Sequence, residues 1–338
     1  MKTVKLLVVA GVWMAAAVCS AAGPKIIFDT DMYIDYDDVG AMAALHALAD
    51  AGECEILGTV VCTRGTPSLA MAEIVNDYYG RASLPVGAPK DIGIGPRQDP
   101  KVVDQVIYKI LANYVKGHPA VRHPSSDTAP DANETYRRLL ASQPDNSVTI
   151  LSVGFLTNLR RLLETKGDAI SPLDGKALVA KKVKAWYAMA CWYKDGWEFN
   201  SGRDAESSKI VFRDWPTPVY FVDFNYGEEV KCGVPVSRLT DAVNPVRDIF
   251  KRALPSYGEA TRGHSAWDQV TVLAAVRGHD RYFGTVRGRF SIVDEKGRNH
   301  WEADPNGRHY VLTVKTPQAE VGRIIDELMA RRPASASR

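Results

Sequence analysis

The sequence predicts a single α/β domain built on an open, mostly parallel sheet with helices on both faces. Three observations predict it. Short β-branched runs alternate with longer helical stretches, the order that a parallel sheet with crossover helices requires. Polar and acidic segments follow directly after several of those runs, where such sheets place their ligands. No internal repeat, low-complexity tract or Gly/Ser linker divides the chain, so residues 23–332 read as one unit.

Residues 1–22 stand apart. Lys2 and Lys5 form a basic start, residues 6–18 an apolar run, and Cys19-Ser20-Ala21-Ala22 a set of small residues for cleavage. That is the pattern of a secretory signal peptide, too short and wrongly flanked for a spanning helix. The expected location is therefore outside the cytoplasm, periplasmic or secreted. A lipid anchor on Cys19 fits less well, because Ala17-Val18 makes a poor lipobox.

The runs that follow predict strands over 25–29, 55–61, 148–153, 183–189 and 219–222. Between and after them, helical patterning predicts helices over 39–51, 69–80, 133–142, 156–165, 205–212, 267–277 and 317–331. Residues 87–130 are rich in Pro, Gly and charge around a short helix at 102–115, and read as an excursion within the domain. Residues 333–338 read as a disordered tail.

Hydrophobic residues make up 46% of the chain and charged ones 24%, ordinary globular values. Removing the leader takes away two lysines and no acid, leaving 40 basic against 40 acidic residues. With no basic stripe, nucleic-acid polymers are excluded as partners. After the leader no apolar run is long enough to span a membrane. Cys54, Cys62, Cys191 and Cys232 show no zinc-type spacing. A strand between Cys54 and Cys62 would hold them roughly 20 Å apart, too far to bond. Buried thiols are expected.

The most informative segment is the turn after the first strand, where Asp29, Asp31, Asp35, Asp37 and Asp38 put five acids into ten residues. Acids so close raise one another's pKa. Helix capping accounts for one or two of them, not five. A hard divalent cation with oxygen ligands would compensate the rest.

These residues carry a resemblance. Asp29-Thr30-Asp31-Met32 followed by Asp35-Tyr36-Asp37-Asp38 resembles the opening signature, DTDxxxDxDD, of the inosine–uridine-preferring nucleoside hydrolases. Residues 151–158, ending Gly154-Phe155-Leu156-Thr157-Asn158, are similar to the family's loop ending GPLTN. Glu198-Phe199-Asn200 resembles its EFN element, and Asp268 falls where the family has a late metal-binding acid opening a helix. The four segments come in the family's order and span nearly the whole chain after the leader.

The resemblance implies a Rossmann-like nucleoside hydrolase fold and calcium-dependent cleavage of the N-glycosidic bond of ribonucleosides, the chemistry of purine and pyrimidine salvage. It implies one Ca2+ held by the carboxylates of Asp31, Asp38 and Asp268 and the carbonyl of Val153. Asp31 would also be the base that takes a proton from a metal-bound water. Asp37, Glu198 and Asn200 would hold ribose hydroxyls. Asp29 would support the turn from behind, and Asn158 reads as a helix cap or loop brace. Relatives are commonly dimers or tetramers, so a homo-oligomer is expected by analogy.

Departures bear on the substrate. Tyr33 stands where a Gly is usual. Thr63 occupies a stretch where the family often has an Asn near the sugar, and is read as its partial substitute; Arg64 beside it could instead reach an anionic group. Trp267 stands where purine-cleaving members often have a His, and is read as a substrate contact through its ring. An indole N–H is no general acid near neutral pH, which leaves His264 and Tyr257 as candidate proton donors to the leaving base. Tyr33, Tyr36, Trp186, Tyr187, Trp192, Tyr193, Trp197 and Trp267 are the aromatic candidates for stacking. Alternative readings are hydrolysis of another pentosyl or glycosyl substrate, a non-catalytic nucleoside- or sugar-binding protein, and a haloacid-dehalogenase-type phosphatase with Asp29 as nucleophile.

Overall fold

The computed structural model of the protein describes residues 23–33 and 35–334. The leader read over residues 1–22 and the end of the tail, 335–338, lie outside the described residues.

Among the described residues there are twelve strands: β1 (Lys25–Thr30), β2 (Glu55–Val61), β3 (Val86–Gly87), β4 (Val148–Val153), β5 (Val183–Met189), β6 (Asp195–Gly196), β7 (Val219–Val222), β8 (Lys231–Cys232), β9 (His264–Ser265), β10 (Phe283–Ile292), β11 (Asn299–Ala303) and β12 (His309–Val314). Ten of them form one sheet in the order β3-β2-β1-β4-β5-β7-β12-β10-β11-β6, while β8 and β9 pair separately. From β3 to β12 neighbouring strands run parallel; β10, β11 and β6 continue the sheet antiparallel.

β1, β2 and β4 are continuous apolar runs buried almost throughout, as strands covered on both faces must be. Alternation along β1 sends Ile26 and Phe28 to one face and Ile27 to the other. The helices Asp37–Asp50, Trp267–Arg277 and Gln318–Met329 cover the first face. The helices Ala132–Ala141, Thr157–Glu164 and Ala205–Asp214 cover the second.

β1 sits between β2 and β4, so the chain builds outward in both directions from it. A parallel sheet opens a crevice where its strand order reverses, beyond the carboxyl ends of the two strands involved. Thr30 pairs with Val61 on one side and Val153 on the other. Residues just past these three therefore meet at one place.

All five expected strands are present, and the expected helices match to within a few residues. Two corrections apply. The helix expected over 102–115 breaks at Gln105, whose ψ of 141° separates a 3-10 turn, Pro100–Asp104, from the helix Val106–Val115. The antiparallel strands β10 to β12 were not expected, because β10 exposes alternate residues instead of forming an apolar run. Among the described residues no helix is long and apolar enough to cross a membrane, and all four cysteines there are buried free thiols.

Candidate active site

The chain turns sharply after β1. Met32 takes the left-handed φ of 47°, and the helix Asp37–Asp50 begins five residues later. Asp38 Oδ1 accepts hydrogen bonds from the Thr30 hydroxyl and, at 3.1 Å, from the Met32 N–H. Asp38 is thus a brace across the turn and not the helix cap, a position held by Tyr36. From below, the hydroxyls of Thr63 and Ser68 donate to the Asp31 carbonyl at 2.9 and 2.8 Å. Gly154 lets β4 approach: a Cβ there would lie 2.5 Å from the Asp31 nitrogen and 2.7 Å from Cys62 Sγ.

Asp29 points away from the crevice. It is 1% exposed and accepts from the Tyr136 hydroxyl at 2.8 Å and Asn158 Nδ2 at 3.1 Å. Asn158 Nδ2 also donates to the Val61 carbonyl at 2.9 Å, so it braces strands and does not cap its helix. An aspartate so enclosed has no path to a substrate, which removes the phosphatase reading that made Asp29 a nucleophile.

The crevice holds a cavity with about 580 Å³ of empty space including its mouth. Asp31, Asp37, Asp38, Val153, Glu198, Asn200, Trp267 and Asp268 all line it, drawn from chain segments far apart in sequence. Asp35, Tyr33, Met189, Phe199 and Phe224 complete the wall. Thr63 does not reach the cavity; its hydroxyl is turned inward to the Asp31 carbonyl and to Thr66 and Ser68. Arg64 lies at the surface, bonded to Asp127 and to the Asp91 carbonyl.

Carboxylate oxygens of Asp37, Asp38 and Asp268 come within 4.8 Å of one another. Asp268 opens the helix Trp267–Arg277, and its N–H donates to Asp37 Oδ2 at 3.0 Å. Burial, joined by the neighbouring charges, pushes Asp31 and Asp268 well above the ordinary carboxylate range. Burial and then the Asp37 charge raise Asp38 to about 8. Burial alone carries Asp29 to about 7 against its hydrogen bonds. Asp38 Oδ2 is buried with no hydrogen-bond partner. A buried carboxylate with an orphaned oxygen, grouped with two further acids, fits a divalent cation, which would satisfy the lone pairs and favour the ionised forms. Asp31 and the end of β4 at Val153 stand on the same wall.

Glu198, also lining the cavity, caps the helix Phe199–Arg203. Its Oε1 accepts from the Asn200 N–H at 2.7 Å, and its Oε2 from the N–H groups of Ser201 and Cys191 at 2.9 and 3.1 Å. It is 2% exposed, which excludes a solvated loop acid. Burial pushes its pKa up while those backbone bonds pull it down. Asn200 Nδ2 donates to the Met189 carbonyl at 3.1 Å, leaving Oδ1 for another partner.

The aromatic wall differs from expectation. Trp267 stacks on Phe224 (5.4 Å, 29°), and its indole N–H is spent on the Phe224 carbonyl at 2.9 Å. Tyr33 lies 6.4 Å from Phe199, rings inclined by 27°. Phe199 and Phe224 were missed by sequence reasoning; each directly follows a polar residue at the carboxyl end of the sheet, the one signal that could have found them. Trp186 belongs to the core. Trp192, Tyr193 and Trp197 lie outside the cavity wall, as do Tyr36 and Tyr187. His264 and Tyr257 do not line the cavity either; His264 is buried behind it, its Nδ1 2.8 Å from Glu259 Oε2.

Comparison with known proteins agrees with this geometry. The family model for inosine-uridine preferring nucleoside hydrolases matches residues 26–330. No curated protein sequence matches the chain. Among solved structures, an inosine-uridine preferring nucleoside hydrolase from Bacillus anthracis is 16% identical, with 91% of this chain and 99% of that one covered at a TM-score of 0.64. A purine-preferring ribonucleoside hydrolase from Gardnerella vaginalis is 17% identical over 90% and 99%, at 0.64. The type III effector XopQ, solved with adenosine diphosphate ribose, is 14% identical over 93% and 94%, at 0.67. At such identities the structures speak for the fold, and the family match over most of the chain decides the rest: the protein belongs to the inosine–uridine preferring nucleoside hydrolase family, a family of glycosidases.

Proposed function

We propose that the protein hydrolyses the N-glycosidic bond of a ribonucleoside. The observation that carries this is the convergence of Asp31, Asp37, Asp38 and Asp268 with Glu198 and Asn200 on one cavity. Asp38, Asp268, Asp31 and the Val153 carbonyl would hold the cation, with Asp37 beside them; an all-oxygen set of this kind suits calcium. When bound, a calcium ion supplies positive charge and oxygen coordination for the ribose diol and the attacking water.

Asp31 would take a proton from the attacking water as its oxygen bonds the anomeric carbon and the C1′–N bond breaks, the departing base taking its proton from solvent. Asp37, Glu198 and Asn200 hold the ribose hydroxyls. Glu198 suits the task because three backbone N–H groups already fix its carboxylate, so little ordering remains to be done on binding. The anionic wall favours the positive charge that develops on the ribose ring. A water nucleophile makes this a single displacement. Trp267, Phe224, Tyr33 and Phe199 offer flat apolar faces to the base. Among the described residues no imidazole or ammonium lines the cavity, so nucleosides whose base departs without strong protonation are preferred. The leader pattern at residues 1–22 supports action outside the cytoplasm.

The test is release of base and reducing sugar from a ribonucleoside panel by the mature protein, with calcium and with chelator. Adenosine diphosphate ribose belongs in the panel, because the effector of like fold carries it. Calcium-dependent release of both products is expected. Nucleoside binding without either product would instead establish a binding protein.

A further inference from the structure

Behind the catalytic cavity lies a group of side chains that the proposed reaction does not use. His264 is 5% exposed. Its Nδ1 faces Glu259 Oε2 at 2.8 Å, and the same oxygen accepts the Tyr36 hydroxyl at 2.6 Å. The Tyr36 ring stacks on the imidazole at 4.1 Å and 20°, which fixes the ring plane. A carboxylate only accepts, so Nδ1 carries a proton and donates to Glu259, and Nε2 is the ring nitrogen free for another partner. Nε2 is buried and has no hydrogen-bond partner.

That nitrogen has company. A ring nitrogen of His264 and carboxylate oxygens of Asp35 and Asp37 lie within 4.8 Å of one another; Nδ1 is engaged by Glu259, and Nε2 is free to serve as the ligand. A buried ring nitrogen without a partner beside two acids is costly, and a shared cation would satisfy all three groups. A carboxylate behind a histidine, fixing its tautomer and aiming the other nitrogen outward, is the usual support of a metal-ligating imidazole.

We propose that Asp35, Asp37 and His264 form a second divalent cation site, of mixed oxygen and nitrogen donors, beside the all-oxygen site and sharing Asp37 with it. Imidazole with carboxylates suits zinc better than calcium. Ligand distances of about 2.0–2.2 Å around zinc require donor atoms roughly 3.0–3.5 Å apart, so the Asp35 and Asp37 carboxylates must close on the fixed imidazole when the ion binds. Asp37 Oδ2 already accepts the Asp268 N–H, but each carboxylate oxygen has two lone pairs and the group can bridge two ions. Asp35 lines the catalytic cavity, whose mouth gives an ion its way in. The inference goes beyond the proposed hydrolysis and does not depend on which nucleoside is cleaved.

The test is elemental analysis of the mature full-length protein, stripped with chelator, reloaded with excess calcium and equimolar zinc, and desalted. One calcium and one zinc per chain are expected. His264→Ala should lose the zinc and keep the calcium, and Glu259→Gln, a conservative change that keeps the fold, should weaken zinc about 10- to 100-fold. Cobalt in place of zinc should give a visible absorption band that His264→Ala removes. Calcium bound without zinc, or zinc held equally by His264→Ala, overturns the second site and leaves the first intact. Retention of neither ion overturns both.

Discussion

Asp37 Oδ2 accepts the backbone N–H of Asp268 at 3.0 Å, so an acid from the turn after β1 caps the helix that presents another acid to the same cavity. The first turn of a helix has N–H groups without intrahelical partners and a partial positive charge. Here they meet a carboxylate from the other end of the chain. The contact fixes the Asp37–Asp268 separation and tempers the repulsion between the two acids.

Removing Asp38 should remove the cation. Its Oδ1 braces the turn, its Oδ2 has no hydrogen-bond partner, and its carboxylate lies within 4.8 Å of those of Asp37 and Asp268. Asp38→Asn, which keeps the brace, should weaken calcium by about 2 kcal/mol or more, roughly 30-fold. Calorimetric titration of the chelator-treated variant checks this, and unchanged affinity would remove the core of the assignment.

Asp31→Asn should separate binding from turnover. The amide keeps the size and the carbonyl contacts of the turn but cannot take a proton. A fall in kcat of about 10²- to 10⁴-fold is expected. Nucleoside affinity, measured by calorimetry, should change much less; full turnover in this variant would exclude Asp31 as the base.

The metal-free protein should lose stability as pH rises. Asp29 and Asp38 have folded pKa values of about 7 and about 8 against an ordinary 3.8. A carboxyl raised by folding favours the fold while it is protonated. Its contribution is complete below about pH 4 and is lost as pH rises through about 7 to 8. Thermal unfolding of chelator-treated protein should therefore show Tm falling across that window, with calcium raising Tm more at the alkaline end. A flat profile would contradict the burial of these acids.

Gly154→Ala should damage both fold and reaction. The added Cβ would meet backbone at Asp31, 2.5 Å from its nitrogen, with no flexible side chain to yield. Overpacking of this kind costs about 1–3 kcal/mol. Tm and kcat should fall together, whereas a stability loss with unchanged kcat would show that the turn adjusts without moving Asp31.

Trp267→Ala should act on the base and not on the sugar. Loss of one stacking face costs about 1–3 kcal/mol per base. KM for nucleosides should rise accordingly, while inhibition by free ribose should be little changed. Equal weakening of both would place the ring elsewhere.

Much of this was legible in the sequence because the signals are local. β1 and its acid-rich turn are contiguous, and the parallel sense of the five apolar strands follows from their alternation with helices. What was not legible depends on orientation. Thr63 was read as a sugar contact from its place after β2, yet its hydroxyl turns inward to hold the Asp31 carbonyl. Glu198 was read only as a ligand, but its own helix occupies both its oxygens. Asp37 is grouped with Asp38 and Asp268, their carboxylate oxygens within 4.8 Å of one another, which its place in the sequence alone did not reveal. β10 was missed because one face of it is wet, so its residues alternate between buried and exposed.

The bond between Asp37 and Asp268 joins residues 231 positions apart. Contacts of such long range close late, since the chain between them must first be ordered. A chain emerging from its amino terminus presents Asp31, Asp37 and Asp38 early, but it has no complete acid triad until the helix Trp267–Arg277 docks. Truncation anywhere before residue 268 should leave an acid-rich turn that binds cations weakly and cleaves nothing. Cation affinity thus reports on the finished fold, and an ion captured at this junction ties the first strand of the sheet to the last third of the chain.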